Sequence, residues 1–345
     1  MMAHHIKNTL YITNPESYLR KKHDVIIVEV EKKEKIRIPG HHLGSIILFG
    51  RSKISHYALD WCIKNGVAVT RVTRAGRYIG NWAGPVKGNV LLRVEQFDKY
   101  KDENEKCKLS QSFIKGKIYN QRSMLLRSAR DISDEKTEKS LRKNATKLDR
   151  ILNIIDDSDN VDQVRGFEGI AAKNYFSVFD EMIINKNDLF KFGKRTKRPP
   201  RDIINAMLSY LYVILNHDCR TALEAVGLDP QIGFLHEIRP GKPALALDLM
   251  EELRPIMVER LVLTMINRKQ VNKEDFEFKD GGAVEMKDDF RKKLIKQYQE
   301  KKQNEIKHPL LDRVIPYGLI PFIQARLLAR RLRGDVEEYP PFIYQ

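Results

Sequence analysis

The hydrophobic period of the chain changes once, near Ala83, and that change constrains the architecture more than any feature of composition. Before it, short runs rich in Val and Ile at residues 9–12, 24–30, 35–39, 45–50, 67–70 and 78–82 are separated by polar turns. Such runs with turn breaks are expected to form strands. Residues 55–64 carry Tyr57, Leu59, Trp61 and Ile63 and close on Asn65-Gly66, so one helix is expected among the strands. Gly84-Pro85 and Gly88 then interrupt the pattern, and beyond them apolar residues recur at helical spacing with charged gaps. A chain of 345 residues is long enough for two cores. The expectation is an α+β protein: a small N-terminal β-sandwich-like domain over 1–85, then a larger, mostly α-helical domain over 86–345 that carries the chemistry.

Charge narrows the partner. The chain has 62 Lys and Arg against 46 Asp and Glu, a net charge of +16 and a pI near 9.5, which favours a polyanion. The longest uncharged stretch, 203–217, contains Asn205 and Ser209 and falls short of the roughly 20 apolar residues that cross a bilayer. No membrane partner is expected. The first residues lack an apolar core of signal-peptide length, so a cytoplasmic location is expected. Cys62, Cys107 and Cys219 are scattered and are expected to be reduced, structural thiols. His41, His42 and His56 have no carboxylate or cysteine placed with them and are expected at the surface. The loop 191–201, KFGKRTKRPPR, concentrates Lys194, Arg195, Lys197 and Arg198, a density that suits phosphate contacts. On charge alone it serves equally as a solubilising loop.

The chemistry concentrates at 233–255, GFLHEIRPGKPALALDLMEELRP. His236 follows an apolar Gly233-Phe234-Leu235, a turn follows at Arg239-Pro240-Gly241-Lys242-Pro243, and a leucine-rich helix then carries Asp248 and Glu251 on one face. Imidazole with carboxylates suits Mn²⁺ or Mg²⁺ better than a structural zinc. The competing reading is a hydrogen-bonded core histidine beside a solvated acidic face. A third acid lies in the helix expected over 164–183, whose stripe is Val164, Phe167, Ala171, Tyr175, Val178 and Met182. Glu168 lies one position off that stripe and is expected to face inward, either toward a ligand or paired to an arginine. Gly166, Gly169, Ala171 and Ala172 leave space around it. Further on, 270–282 is expected to form a hairpin, 287–307 a solvent-facing helix, and 339–345 a flexible aromatic tail.

The segments EGIAAKNYF at 168–176, RPPRDIINAMLSYLYVIL at 198–215, GLDPQIGFLHEIRPGKPALALDLMEELRP at 227–255 and QARLLARRLRG at 324–334, in that order, resemble the CRISPR-associated integrase family Cas1, and most of all its subtype I-C branch. The strands before residue 83 are similar to that family's β domain. The resemblance implies a metal-dependent DNA endonuclease and integrase that inserts spacer fragments at a CRISPR repeat in antiviral defence. It implies that two copies pair through residues 1–85 into a homodimer, which the small Cas2 protein bridges. Matched to the family's motifs, the metal ligands are Glu168, His236 and Glu251. Many members carry Asp where this chain has Glu251, which leaves Asp248, one turn earlier, as an alternate or supporting group. Arg239, Lys242 and Arg254 then grip the DNA backbone or serve as helix-end charges. The rival reading is a non-catalytic basic nucleic-acid-binding protein whose acids are structural.

Overall fold

Alternating Val and Ile residues build two four-stranded sheets over a common core in the first part of the chain. In the computed structural model, which describes residues 8–73, 78–82, 84, 90–185, 188–196 and 199–344, the chain divides into units Met1–Lys87 and Gly88–Gln345. In the first unit, β1 (Asn8–Ile12), β5 (Leu43–Phe49), β7 (Ala68–Val72) and β8 (Tyr78–Trp82) form one sheet in the order β1-β5-β7-β8. The other sheet has the order β4-β3-β2-β6, from β2 (Ser17–Lys22), β3 (Val25–Val30), β4 (Lys33–Pro39) and β6 (Lys53–Ile54). Leu19, Ile26, Ile46, Leu48 and Val69 from both sheets meet Ala58 and Cys62 of α1 (His56–Lys64) in a single core. Strands β2 and β6 add to the sequence expectation. Only Ser17 and Leu19 of β2 are buried, and its remaining residues are largely basic, so its periodicity is faint. The parallel pairing of β1, β5 and β7 is likewise invisible to a strand pattern. His41, His42 and His56 are exposed.

The second unit is organised along α3 (Glu103–Asp131), which packs against α4 (Glu135–Leu152), α5 (Val161–Phe176) and α7 (Ala244–Glu251). The Asp102 carboxylate starts α3 by accepting the N–H groups of Asn104 and Glu105 at 2.9 and 3.1 Å. Its inner side buries Phe113, Ile114, Ile118 and Leu125, but also Lys117, Asn120 and Gln121. Preceding it is α2 (Val90–Lys101), and α6 (Ile203–Val226) lies against α7 and α10 (Ile320–Leu332). After α7 the chain makes a π-helical turn, Arg254–Glu259, before α8 (Arg260–Asn267). The expected hairpin is β9 (Phe276–Phe278) with β10 (Val284–Met286), and β11 (Glu305–His308) pairs with β12 (Arg313–Pro316). The helix expected over 164–183 ends at Phe176. The charged helix α9 (Asp288–Gln303) is not wholly solvent-facing, since it buries Phe290, Leu294 and Tyr298. All three cysteines are free and buried. Among the described residues no helix is long and apolar enough to cross a membrane.

The aromatic tail departs most from expectation, because it is packed rather than loose. Tyr339 and Phe342 are buried. The Tyr339 hydroxyl and the Phe342 amide each donate to the Glu252 carboxylate at 2.6 Å, and Gln324 Nε2 donates to it at 3.2 Å. Asn120 ties the same strap to α3, donating to the carbonyls of Glu252 at 2.7 Å and Phe342 at 2.8 Å. A Cβ on Gly116 would come within 2.8 Å of Pro341 and 2.9 Å of Glu252, so only glycine admits this approach. Nothing local in the tail signals this packing, because Asn120 and Glu252 lie far from it in the chain.

Burial pushes the Glu252 carboxyl up to about 7 despite its three donors. Unfolded, the same group ionises near 4.5. The folded state therefore resists ionisation, and stability is complete below the unfolded value and declines as pH rises through 7. The free-energy difference between wild type and Glu252→Gln should shift by about 3 kcal/mol in the variant's favour between pH 4.5 and pH 8. Urea titrations across that range measure it, and a constant difference would show that Glu252 ionises alike folded and unfolded.

Candidate functional site

The loop between α6 and α7 is fixed by one carboxylate. Asp248, fully buried, accepts the backbone N–H groups of Phe234, Leu235 and His236 at 2.6, 3.1 and 3.0 Å. Its Oδ1 also lies 2.7 Å from His236 Nδ1. A Cβ on Gly233 would fall 2.7 Å from the Ala244 backbone and 2.8 Å from Asp248, so glycine lets the loop lie directly on the helix. The Pro230 carbonyl takes the amides of Leu245 and Ala246 at the start of α7, where Pro243 offers no side-chain cap. With Nδ1 donating to Asp248, the imidazole turns its Nε2 lone pair away from the loop. Nε2 lies 3.9 Å from Glu251 Oε1. Asp248 thus spends both oxygens on the loop and orients His236, rather than facing the cleft as an alternate donor.

Glu251, at the end of α7, and Glu168, on α5, approach from two other sides. Glu168 does face inward, and its partner is a lysine. Lys117 Nζ ion-pairs with the Glu168 carboxylate and lies 2.8 Å from Glu251 Oε2. Arg254 reaches Glu251 Oε1 at 3.0 Å and stacks 4.9 Å from the Tyr212 ring centroid, while the Tyr212 hydroxyl donates to Glu259 at 2.7 Å. Burial opposes the charge on Glu251, yet Arg254, Lys117 and His236 bring its pKa down to about 2. Burial also opposes the Lys117 ammonium, but Glu251 and Glu168 outweigh it and raise its pKa. These residues open onto a cleft of about 350 Å³ lined also by Arg165, Glu237 and Lys242. Nothing lies within 4 Å of a Cβ built on Gly166 or Gly169, so that side of α5 is unobstructed.

Oxygen and imidazole donors of this kind fit a hard divalent cation such as Mn²⁺ or Mg²⁺. As the side chains stand, no three His, Cys, Asp or Glu residues close on one point among the described residues. Lys117 is placed between the two carboxylates, so the position is held by an ammonium.

The basic residues named from sequence are divided by the structure. Lys242 and Arg254 line the cleft, while Arg239 is exposed and paired with Glu237 at 2.6 Å. Lys194 is exposed. Arg195 is tied inward: its guanidinium bonds Asn205 at 2.6 Å and Ser209 at 3.0 Å and stacks on Tyr212, so it anchors the loop to α6. Lys197 and Arg198 lie outside the described residues. Sequence reasoning missed two site residues. Lys117 falls at i+4 from Phe113 and i+3 from Ile114, on the apolar stripe of α3, which marks an inward lysine. Arg165 shares a helix face with Glu168, three residues on, and holds the Leu235 carbonyl at 2.6 and 2.9 Å.

Removing Lys117 should leave two converging carboxylates without their common cation. Lys117→Met is expected to lower metal-free stability by about 3 kcal/mol, the low end for a broken buried pair because Arg254 still faces Glu251. Urea unfolding in chelator measures this, and a change under about 1 kcal/mol would mean the carboxylates do not depend on the ammonium.

The family model described as CRISPR associated protein Cas1 matches residues 10–300. A CRISPR-associated endonuclease Cas1 of Moorella thermoacetica is 44% identical over 342 residues, covering 99% of this chain and 100% of the relative. Two solved structures share the fold. One is a Cas6-RT-Cas1–Cas2 complex, with a TM-score of 0.81, 22% identity, and 99% of this chain matched to 36% of that one. The other is a casposase bound to integration product, with a TM-score of 0.80, 21% identity, and 98% of this chain matched to 94% of that one. With the family model spanning most of its length and a full-length relative at this identity, the chain belongs to the CRISPR-associated Cas1 family.

Proposed function

We propose that this chain is a metal-dependent DNA endonuclease and integrase of CRISPR adaptation, joining spacer DNA to a repeat by attack of a 3′-hydroxyl on a phosphodiester. The observation that carries this reading is the convergence of Glu168, Glu251 and His236 Nε2 on one cleft with cationic walls. Glu168, His236 and Glu251 would hold Mn²⁺ or Mg²⁺. A divalent cation bound there supplies a Lewis acid for a phosphoryl oxygen. With a cation held there, the Lys117 ammonium would no longer be needed between the carboxylates and would be available to the phosphate. Asp248 keeps Nε2 directed at the cleft, Arg254 keeps Glu251 ionised and aimed, and Arg165 and Lys242 face the incoming backbone.

In the joining step the 3′-oxygen of the spacer strand loses its proton and bonds to phosphorus. The bond from phosphorus to the outgoing 3′-oxygen of the target strand breaks, and that oxygen takes up a proton. Water in place of the 3′-hydroxyl gives cleavage at the same residues. The partners in this reading are spacer and repeat DNA and a Cas2 protein, with two copies of this chain paired through residues 1–85. The details of the four segments named above look most like the subtype I-C branch. Light scattering should give a dimer for the full chain and a monomer for residues 86–345. A dimer from the shorter chain would place the pairing elsewhere.

The decisive experiment separates joining from cutting. Labelled spacer duplexes with 3′-hydroxyl or 3′-dideoxy ends are incubated with a repeat-bearing plasmid, Cas2 and Mn²⁺. Joined product is expected from hydroxyl ends alone and should vanish in Glu168→Ala, His236→Ala and Glu251→Ala. Duplex binding with neither joining nor cleavage, under conditions where Cas2 is bound, would leave the non-catalytic reading. Cleavage without joining would leave a nuclease.

A further inference from the structure

A second group of cations gathers away from the cleft, around the hydroxyl of Tyr344. Arg127 of α3 donates to that hydroxyl at 3.0 Å, and Arg260, at the start of α8, donates to it at 2.5 Å. The Arg260 guanidinium also lies 4.9 Å from the Tyr344 ring centroid. Lys301 of α9 lies 4.9 Å from the ring centroid of the buried Tyr317. Tyr344 is itself fixed, its amide donating to Asn120 at 2.7 Å and its carbonyl accepting from Ser123 at 3.3 Å. Three helices and the tail therefore hold three cations around two phenols. Among the described residues none of the three has a carboxylate partner. For Lys301, the most enclosed of the three, burial opposes the charge and no carboxylate among the described residues offsets it.

We propose that Arg127, Arg260 and Lys301 form a binding site for a phosphate group of a nucleic-acid backbone, separate from the cleft of Glu168, His236 and Glu251. Arg127 is ten residues beyond Lys117 on α3, about 15 Å along the helix axis. Two guanidiniums and an ammonium arriving from different helices suit the several oxygens of a tetrahedral phosphate better than the two coplanar oxygens of a carboxylate. Arg127 is exposed, so the site is reachable from solvent. Burial first, then the charges of Arg260 and Arg127, bring Lys301 down to about 7, the behaviour of an ammonium among cations with no counter-ion. A phosphate bound there would raise it. The nucleic-acid occupant rests on the function proposed above, whereas the anion-binding geometry does not.

The test uses the full chain in chelator. The salt dependence of duplex DNA binding is measured for wild type, Arg127→Gln and Arg260→Gln, and the Lys301 titration is followed by NMR with and without inorganic phosphate. Loss of one phosphate contact should reduce the log–log salt slope by about 0.9 in both variants. Inorganic phosphate should raise the Lys301 midpoint in wild type and raise it less in the variants. Arg127 is at the surface, so its substitution keeps the test valid if Arg260→Gln fails to fold. A phosphate-raised midpoint with unchanged slopes means an adventitious ion only and overturns the proposal. A midpoint raised by an acidic peptide but not by duplex DNA assigns the site to a protein partner and also overturns it. Unchanged slopes beside a steep wild-type slope reject this site while leaving the proposed function standing. Absence of salt-dependent DNA binding by wild type brings down both.

Discussion

The ammonium of Lys117 is the charge on which the helical unit depends. Glu168 and Glu251 come from helices distant in sequence, and their carboxylates would repel one another if brought together in a partly dry cleft. A buried cation between them converts that repulsion into attraction. It can do so only because α3 runs unbroken past both and presents polar side chains on its inner face. The cost of that arrangement is visible in α3 itself, where Lys117, Asn120 and Gln121 occupy positions that a simple packed helix would give to leucine. Polar groups placed so deeply specify which helices meet and at what register.

Glu251 and Glu252 are neighbours in sequence and opposites in environment. A helical step of one residue turns the side chain by about 100°, so Glu251 faces the cleft and its cations while Glu252 faces the buried tail and its neutral donors. Both are buried, and burial alone raises both. Charge decides the difference: Lys117 and Arg254 take Glu251 down to about 2, whereas neutral hydrogen bonds leave Glu252 up at about 7. The π-helical turn that follows carries Arg254 back against Glu251 and sets Glu259 beneath Tyr212. Such turns, with one extra residue per turn, recur where a helix must re-aim side chains at a site. The tail, Asn120 and Gly116 lie behind this segment, so the backbone carrying Glu251 is clamped from the side away from the cleft.

Periodicity made most of this architecture legible. Short Val and Ile runs gave the N-terminal strands, and the Gly-Pro break near residue 84 separated them from the helices. Faint alternation hid β2, and no local pattern distinguishes parallel from antiparallel partners. In the site, Glu168, His236 and Glu251 stood out because each interrupts or adjoins an apolar run. Lys117 interrupts one as well, but a lysine in a helix is ordinarily assigned to solvent, and only its coincidence with Phe113, Ile114 and Ile118 on the inner face speaks otherwise. Arg195 shows the opposite limit. Its basic neighbourhood suggested a phosphate contact, while its bonds to Asn205 and Ser209 depend on the later course of α6. The tail was illegible for the same reason, since its partners are Asn120 of α3, Glu252 just past the end of α7, and Gln324 of α10.

The lengths of the two acids on α7 follow from what each must reach. Asp248 lies under a loop whose backbone amides come within 2.6 to 3.1 Å of its oxygens, with Gly233 packed against it. One more methylene there would push the loop off the helix and turn His236 away. Glu251 sits one turn later, at the helix end, and must span to Lys117 on one side and Arg254 on the other. The longer side chain closes that distance without moving the backbone. An aspartate at 251 would require α3 and α7 to approach more closely, and Gly116 already lies so near the side chains of Glu252 and Pro341 that not even a Cβ fits between them. The glutamate at 251 is thus matched to the helix spacing that the tail and Gly116 set.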